Sequence, residues 1–216
     1  MRSVRQLSIV GILCSLLFAG PAFAQVQGSV IADFSGSVQA IIGAYSGMVP
    51  GSVTTRPTGT SAYSANQTIC AATSVTVCTP GTIPIAAIQF GRLTAKRVVL
   101  LKSGAAVAGT SFTIWFYSAL PGTASPLQFD ATAYTGPRTA DIPNYLGSAL
   151  CTNGTVTSDT SPSAWYECTL NPATNGALVL QAALQSRNVY YLISATAAYA
   201  TPVALETFTP YVGGVF

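Results

Sequence analysis

The sequence predicts an all-β protein, an antiparallel β-sandwich or jelly-roll-like single domain with an N-terminal arm. Three observations carry this. Thr, Val and Ile are frequent and stand beside 10 Tyr and 9 Phe, side chains that fit a pleated, half-buried surface. Nineteen Gly and 13 Pro punctuate the chain as turns do. No stretch carries the Glu, Lys, Leu and Gln makeup at helical period that a surface helix requires. The extended segments recur at roughly 8–15-residue spacing, which suits a sandwich better than an α/β fold.

Residues 1–24 have the three parts of a secretory signal peptide. Arg2 and Arg5 supply the positive charge, Leu7–Phe18 the apolar run, and Ala22-Phe23-Ala24 a small-x-small cleavage site, so the mature chain is expected to start at Gln25. Removing 24 of the 216 residues leaves 192, enough for one domain with a substantial core. Nine basic residues stand against six acidic ones, and the leader takes two of the nine with it. A nearly neutral chain has no electrostatic footprint for nucleic acid. No later segment is long and apolar enough for a membrane-spanning helix. The expected location is therefore the periplasm, the cell surface or the medium.

Residues 25–51 are apolar and rich in Gly, Ser and Ala. They read as a first strand, as a short helix around Val38–Ala44, or as an arm, ahead of a domain over 52–216. Within that domain Arg92–Lys102 reads as a strand closed by the Ser103-Gly104 turn. Thr110–Ser118 alternates Phe112, Ile114 and Phe116 against Thr113, Trp115 and Tyr117. Bulk on both faces marks it as central and covered twice, with Phe112 and Phe116 in the core, each worth about 3–5 kcal/mol on truncation to Ala. Val99 and Leu101 are expected to pack with them, the short loop from Gly104 to Gly109 making the two strands antiparallel neighbours. Val189–Thr196 and Leu205–Val212 are further strands. Weaker ones are Val53–Arg56, Ala62–Cys70, Val75–Cys78, Ile83–Phe90, Tyr145–Leu150, Trp165–Leu170 and Ala177–Leu180.

Four cysteines remain once Cys14 leaves with the leader: Cys70, Cys78, Cys151 and Cys168. An even count in an exported chain reads as disulfides. Three pairings are possible. The local one, Cys70–Cys78 with Cys151–Cys168, is favoured because each pair brackets a short Thr-, Ser- and Gly-rich segment. In the chain-entropy account each such loop contributes about 2–3 kcal/mol. A Cys₄ zinc site is the alternative, but separations of 8 and 17 do not resemble C-x₂-C.

Parts of the chain resemble a family of small, uncharacterised proteins encoded by tailed phages and prophages. Arg56-Pro57-Thr58-Gly59-Thr60-Ser61-Ala62-Tyr63-Ser64-Ala65-Asn66 is similar to its opening, with Asn66 where the family tends to have Asp. Leu100-Leu101-Lys102-Ser103, Ser111-Phe112-Thr113-Ile114-Trp115-Phe116, Asp141 to Gly147, and Tyr199-Ala200-Thr201-Pro202 with Phe208-Thr209 follow in the family's order, over residues 53–212. The resemblance implies a β-sandwich with a structural role in a virion and no known catalysis. The leader and the cysteines depart from that pattern and suggest a copy adapted to export.

The absence of histidine excludes a Ser-His-Asp triad, a Cys-His pair and any His-ligated metal. The acids are Asp33, Asp130, Asp141, Asp159, Glu167 and Glu206. A pair among Asp130, Asp141 and Glu167 could face one cleft as a glycosidase requires, but turn capping is the simpler role for Asp130 and Asp141. No D-x-D-x-D-G string marks a calcium loop. Lys96 and Lys102, six apart on one strand, are expected on one solvated face, as an anion site or as charges guarding an edge. On that reading Lys102→Ala costs well under about 1 kcal/mol. Trp115 points away from the Phe112 face and is placed to meet the arm or a partner. Tyr199 is a candidate for a surface aromatic cluster. Together these give an exported, non-enzymatic assembly protein without cofactors, acting by protein contacts or self-assembly. A carbohydrate-binding or adhesin module is the alternative, with a glycan as ligand.

Overall fold

The structure is a computed structural model. It describes residues 30–32, 38–40, 48–59, 61–71, 78–85, 91–104, 109–122, 130–156, 163–171, 176–184 and 186–215. The expected signal peptide, Asp33, Asp159 and residues 75–77 of the strand expected over Val75–Cys78 lie outside these residues. Two compact units divide between Ala44 and Tyr45. In the first, β1 (Val30–Ala32) pairs antiparallel with β2 (Val38–Ala40), so Val38–Ala40 is extended rather than the start of a helix.

The second unit holds β3 (Met48–Pro50), β4 (Thr54–Thr55), β5 (Gln67–Ile69), β6 (Gly81–Pro84), β7 (Arg92–Ser103), β8 (Phe112–Tyr117), β9 (Tyr145–Val156), β10 (Ser163–Asn171), β11 (Leu178–Gln181), β12 (Asn188–Ala195) and β13 (Thr207–Val215). The class is all-β and antiparallel, as the composition predicts. The hydrogen bonding runs through one continuous sheet, in the order β3-β13-β7-β10-β9-β8-β12-β5. Three strands each share one flank between two others: β13 takes β3 and β4, β7 takes β10 and β11, and β12 takes β5 and β6. The domain begins earlier than residue 52, because Val49 already pairs with Val212.

The sheet curls until β3 and β6 meet. Ser52 N–H donates to Thr82 O at 2.7 Å, and Thr82 N–H donates to Ser52 Oγ at 2.9 Å. Tyr191 fixes this junction: its hydroxyl donates to Ser52 O and lies 3.1 Å from Thr54 Oγ1. Its ring lies flat on Gly81, where a Cβ would stand 2.1 Å from Tyr191 Cζ, so no larger residue fits there. On the far side of β5, Thr68 N–H donates to Thr132 O and Ala131 N–H to Thr68 O, both at 2.8 Å.

The space inside the curl is the core. Phe112, Ile114 and Phe116 are fully buried in it, as expected. Strand β8 is central, between β9 and β12. Its other face is covered too, with Tyr117 fully buried. Two expectations about β7 fail. It is not a neighbour of β8, because the β9–β10 hairpin lies between them. Its inward residues are Val98, Leu100 and Lys102 rather than Val99 and Leu101. The cause is a bulge: Gly213 faces Arg97 and Gly214 faces Ala95, so Lys96 is skipped in the ladder and the alternation changes phase.

The cysteines pair locally, Cys70 with Cys78 and Cys151 with Cys168. Cys151 and Cys168 stand directly opposite each other in the β9–β10 ladder. Two such bridges fit an oxidising compartment. No helix among the described residues is long and apolar enough to cross a membrane.

Candidate functional site

With so few charges in the chain, their positions are informative. Among the described residues four are buried almost completely: Arg56, Lys102, Asp141 and Glu206. Asp141 stands apart, and the other three form one network with the half-buried Asp130, built on two tyrosines. The backbones of Tyr63 and Tyr199 exchange hydrogen bonds at 2.9 Å, and their rings stack with centroids 6.0 Å apart. On one side Arg56 Nε donates to Tyr63 Oη at 2.9 Å, and Tyr63 Oη donates to the Asp130 carboxylate at 2.7 Å. Asp130 also accepts from Cys70 N–H, and the Arg56 guanidinium lies 4.9 Å over the Tyr63 ring. On the other side Tyr199 Oη donates to Glu206 Oε2 at 2.6 Å, and Lys102 Nζ stands 2.5 Å from Glu206 Oε1. Arg56 N–H donates to Glu206 O, so the two halves share backbone as well as stacked rings.

Each carboxylate is aimed inward by a neighbour in a costly conformation. Ala131 follows Asp130 with φ 60°, and Leu205 precedes Glu206 with φ 55°. Non-glycine residues in this left-handed region cost about 1–2 kcal/mol each, so the buried partners overdetermine the backbone there. Gly104, at φ 79°, stays small for two reasons. It takes the left-handed turn, and a Cβ there would lie 3.3 Å from Glu206 Oε1 and 3.5 Å from Lys102 Nζ.

Burial dominates the titration of Asp130 and of the two tyrosines. It raises the Asp130 carboxyl against the lowering hydrogen bonds from Tyr63 and Cys70 N–H and the charge of Arg56. It raises the Tyr63 and Tyr199 hydroxyls far above their ordinary value, helped by the hydrogen bonds to Asp130 and Glu206. Tyr117 is raised in the same way, and Tyr134, hydrogen-bonded to it, is pushed up to about 12. The folded hydroxyls ionise above the unfolded value of 10.0, so the stability they contribute is whole below that pH and lost as pH rises beyond it. An alkaline titration read by tyrosinate absorbance should show Tyr63, Tyr117 and Tyr199 ionising only together with unfolding. Smooth ionisation of all ten tyrosines near pH 10 in the folded protein would contradict this burial.

The residues singled out in the sequence are thus divided. Lys96 is exposed at the bulge, while Lys102 and Tyr199 are buried in the network, so neither is a surface contact. Past the bulge, even-numbered positions of β7 point inward, and Lys102 meets Phe208 in the register. Trp115 does point away from the core. Its indole N–H donates to Ser194 Oγ at 3.0 Å, and its ring packs edge-on to Tyr134 and beside Tyr145. Trp115, Tyr145 and Tyr190 are half-buried around this second cluster. Asp130, Asp141 and Glu167 do not share partners. Asp141 accepts from Gly122 N–H at 2.9 Å, and Glu167 pairs with Arg97 in solvent. Arg56, Tyr63 and Glu206 were not foreseen as a site.

The outer face of β9–β11 carries Trp165, 41% exposed, with Leu150 and Val179 also exposed. Arg97 lies 5.6 Å over the Trp165 ring. A shallow cavity of about 560 Å³ is lined by Leu120, Leu184, Arg187, Asn188 and Tyr190. Among the described residues no three of His, Cys, Asp and Glu are grouped to hold a metal. The fold and site define a disulfide-stapled, all-β domain with a buried network of charges around Tyr63 and Tyr199. No family model, no curated protein and no solved structure matches the chain.

Proposed function

We propose that the chain is an exported, non-enzymatic structural protein that works through protein–protein contacts at a surface, an envelope or a particle. The observation that carries this reading is Trp165, which projects into solvent from the outer face of β10 with Arg97 over its ring, on a strand whose other face is core. Trp and Arg, here Trp165 beside Arg97, are the residue types most enriched among the anchors of interfaces. The leader over residues 1–24 and the two disulfides support a location in the periplasm or outside the cell. The motifs over 53–212 that resemble phage structural proteins support a particle or its relic as the setting. Light scattering of the purified protein over a range of concentrations should show assembly. Trp165→Asp should abolish that assembly while changing stability by no more than about 0.5 kcal/mol, as for most surface changes. A wild-type protein that stays monomeric at every concentration would count against self-assembly.

A second reading has its own observation. Trp115, Tyr145 and Tyr190 form a half-exposed aromatic group on the outer side of β8, β9 and β12, and aromatic faces stack on sugar rings. Binding on a glycan array by a monomeric protein would favour the carbohydrate-binding module.

A further inference from the structure

We propose that Lys102 and Glu206 condense to an amide, an intramolecular cross-link between β7 and the entrance to β13. The proposal stands whether or not the protein assembles.

The two groups have the proximity and the isolation that such a step requires. Their side chains are 1% and 0% exposed, and Nζ stands 2.5 Å from Oε1. That approach does not satisfy Oε1 as a hydrogen bond, since the oxygen is buried with no partner of hydrogen-bonding geometry. The amine donates to Ser103 O at 3.0 Å, and Oε1 is left as the unpartnered oxygen beside it. Both backbones are held. Lys102 is locked in the ladder opposite Phe208, and Glu206 is clamped by Arg56 N–H on its carbonyl and by the left-handed Leu205 before it. Gly104 leaves the space above the pair, and the Tyr199 ring lies 5.6 Å from Nζ as its wall. Groups fixed in this way react with effective molarities on the order of 10⁵ M or more.

The chemistry balances without a cofactor. The ammonium proton passes to Oε1 across the short gap, leaving a neutral amine facing a carboxylic acid. The Nζ lone pair adds to Glu206 Cδ, and the negative charge develops on Oε2. Tyr199 Oη already donates to Oε2 at 2.6 Å, the position from which a hydroxyl stabilises an oxyanion. The Cδ–Oε1 bond then breaks. Oε1 leaves as water, with the acid's own proton and one from the amine, and Oε2 becomes the amide carbonyl. Nothing is oxidised or reduced. Burial then shields the product from hydrolysis.

The test is mass spectrometry of the exported, full-length wild-type protein, so it does not depend on any variant folding. The intact mass should be lower by one water than the mature sequence with two disulfides. Trypsin cannot cut after an amidated Lys102, so after reduction a branched peptide should join residues 98–138 to residues 188–216. Lys102→Arg keeps a cation but cannot form this amide, and should restore the full mass. Tyr199→Phe, if folded, should slow linkage by roughly 100-fold, the usual effect of losing one oxyanion donor. An unlinked peptide 98–102 as the main product from wild-type protein would overturn the proposal. So would a Lys102→Arg protein still lighter by one water. Linkage in Tyr199→Phe at the wild-type rate would remove Tyr199 from the mechanism.

Discussion

Lys102→Ala is expected to destabilise the protein by about 3–5 kcal/mol, the cost of leaving one member of a buried pair without its counter-charge. Glu206 would keep its hydrogen bond from Tyr199 but would face the core with an unbalanced carboxylate. The backbone would add to the loss, because the pair is part of what holds Leu205 left-handed. A cross-link, where formed, would raise the figure further. Equilibrium denaturation of wild type and variant is the measurement. The paired change Lys102→Met with Glu206→Leu removes both charges together and should cost less than Lys102→Ala alone, since the penalty lies in the orphaned charge. A loss under 1 kcal/mol for Lys102→Ala would mean that the side chain is solvated and the interior network wrong.

Phe112→Ala is expected to cost about 3–5 kcal/mol, the usual range for a fully buried aromatic. Its ring is the hub of the core. It meets Tyr166 at 5.1 Å, Phe208 at 5.4 Å and Tyr199 at 5.7 Å, each close to edge-on. The cavity would therefore open between four strands or loops that cannot all move inward. Tyr199 also carries the hydrogen bond to Glu206, so the change should loosen the charge network as well. Thermal melts that place Phe112→Ala within 1 kcal/mol of wild type would show that the hub collapses without cost.

The fold class was legible because it depends on composition and short-range alternation. In β8 the alternation of Phe112, Ile114 and Phe116 against Thr113, Trp115 and Tyr117 identified both the strand and its central place. The local cysteine pairing was legible for a similar reason, since a short loop brings its ends together. Neighbour order was not legible. Gly104 and Gly109 mark a short connection, but a connection does not say that the strands it joins are paired, and β9 and β10 come between them. The face of Lys102 was lost to a single skipped residue. Counting by twos from Lys96 assumes an unbroken pleat, and the bulge sits at Lys96 itself. The network was hidden because Arg56, Tyr63, Asp130, Tyr199 and Glu206 are brought together by long-range pairing. One signal was present all the same: in a chain with only 15 charged residues, Lys102 and Glu206 each lie within an apolar stretch.

The meeting of β3 and β6 across Ser52 and Thr82 limits how copies of this protein could join. A sheet with an open margin offers a row of unused N–H and C=O groups, and a foreign strand can extend it. Here one margin is folded against the other under Tyr191, and β5 is capped by Thr132 and its neighbours. Proline adds to the protection, with Pro50 and Pro84 in the marginal strands unable to donate. A partner is thereby steered away from strand-by-strand addition and toward side-chain contact on the outside of the curl. An array built that way can come apart into intact subunits, whereas growth by shared strands would bind each copy's fold to that of its neighbour.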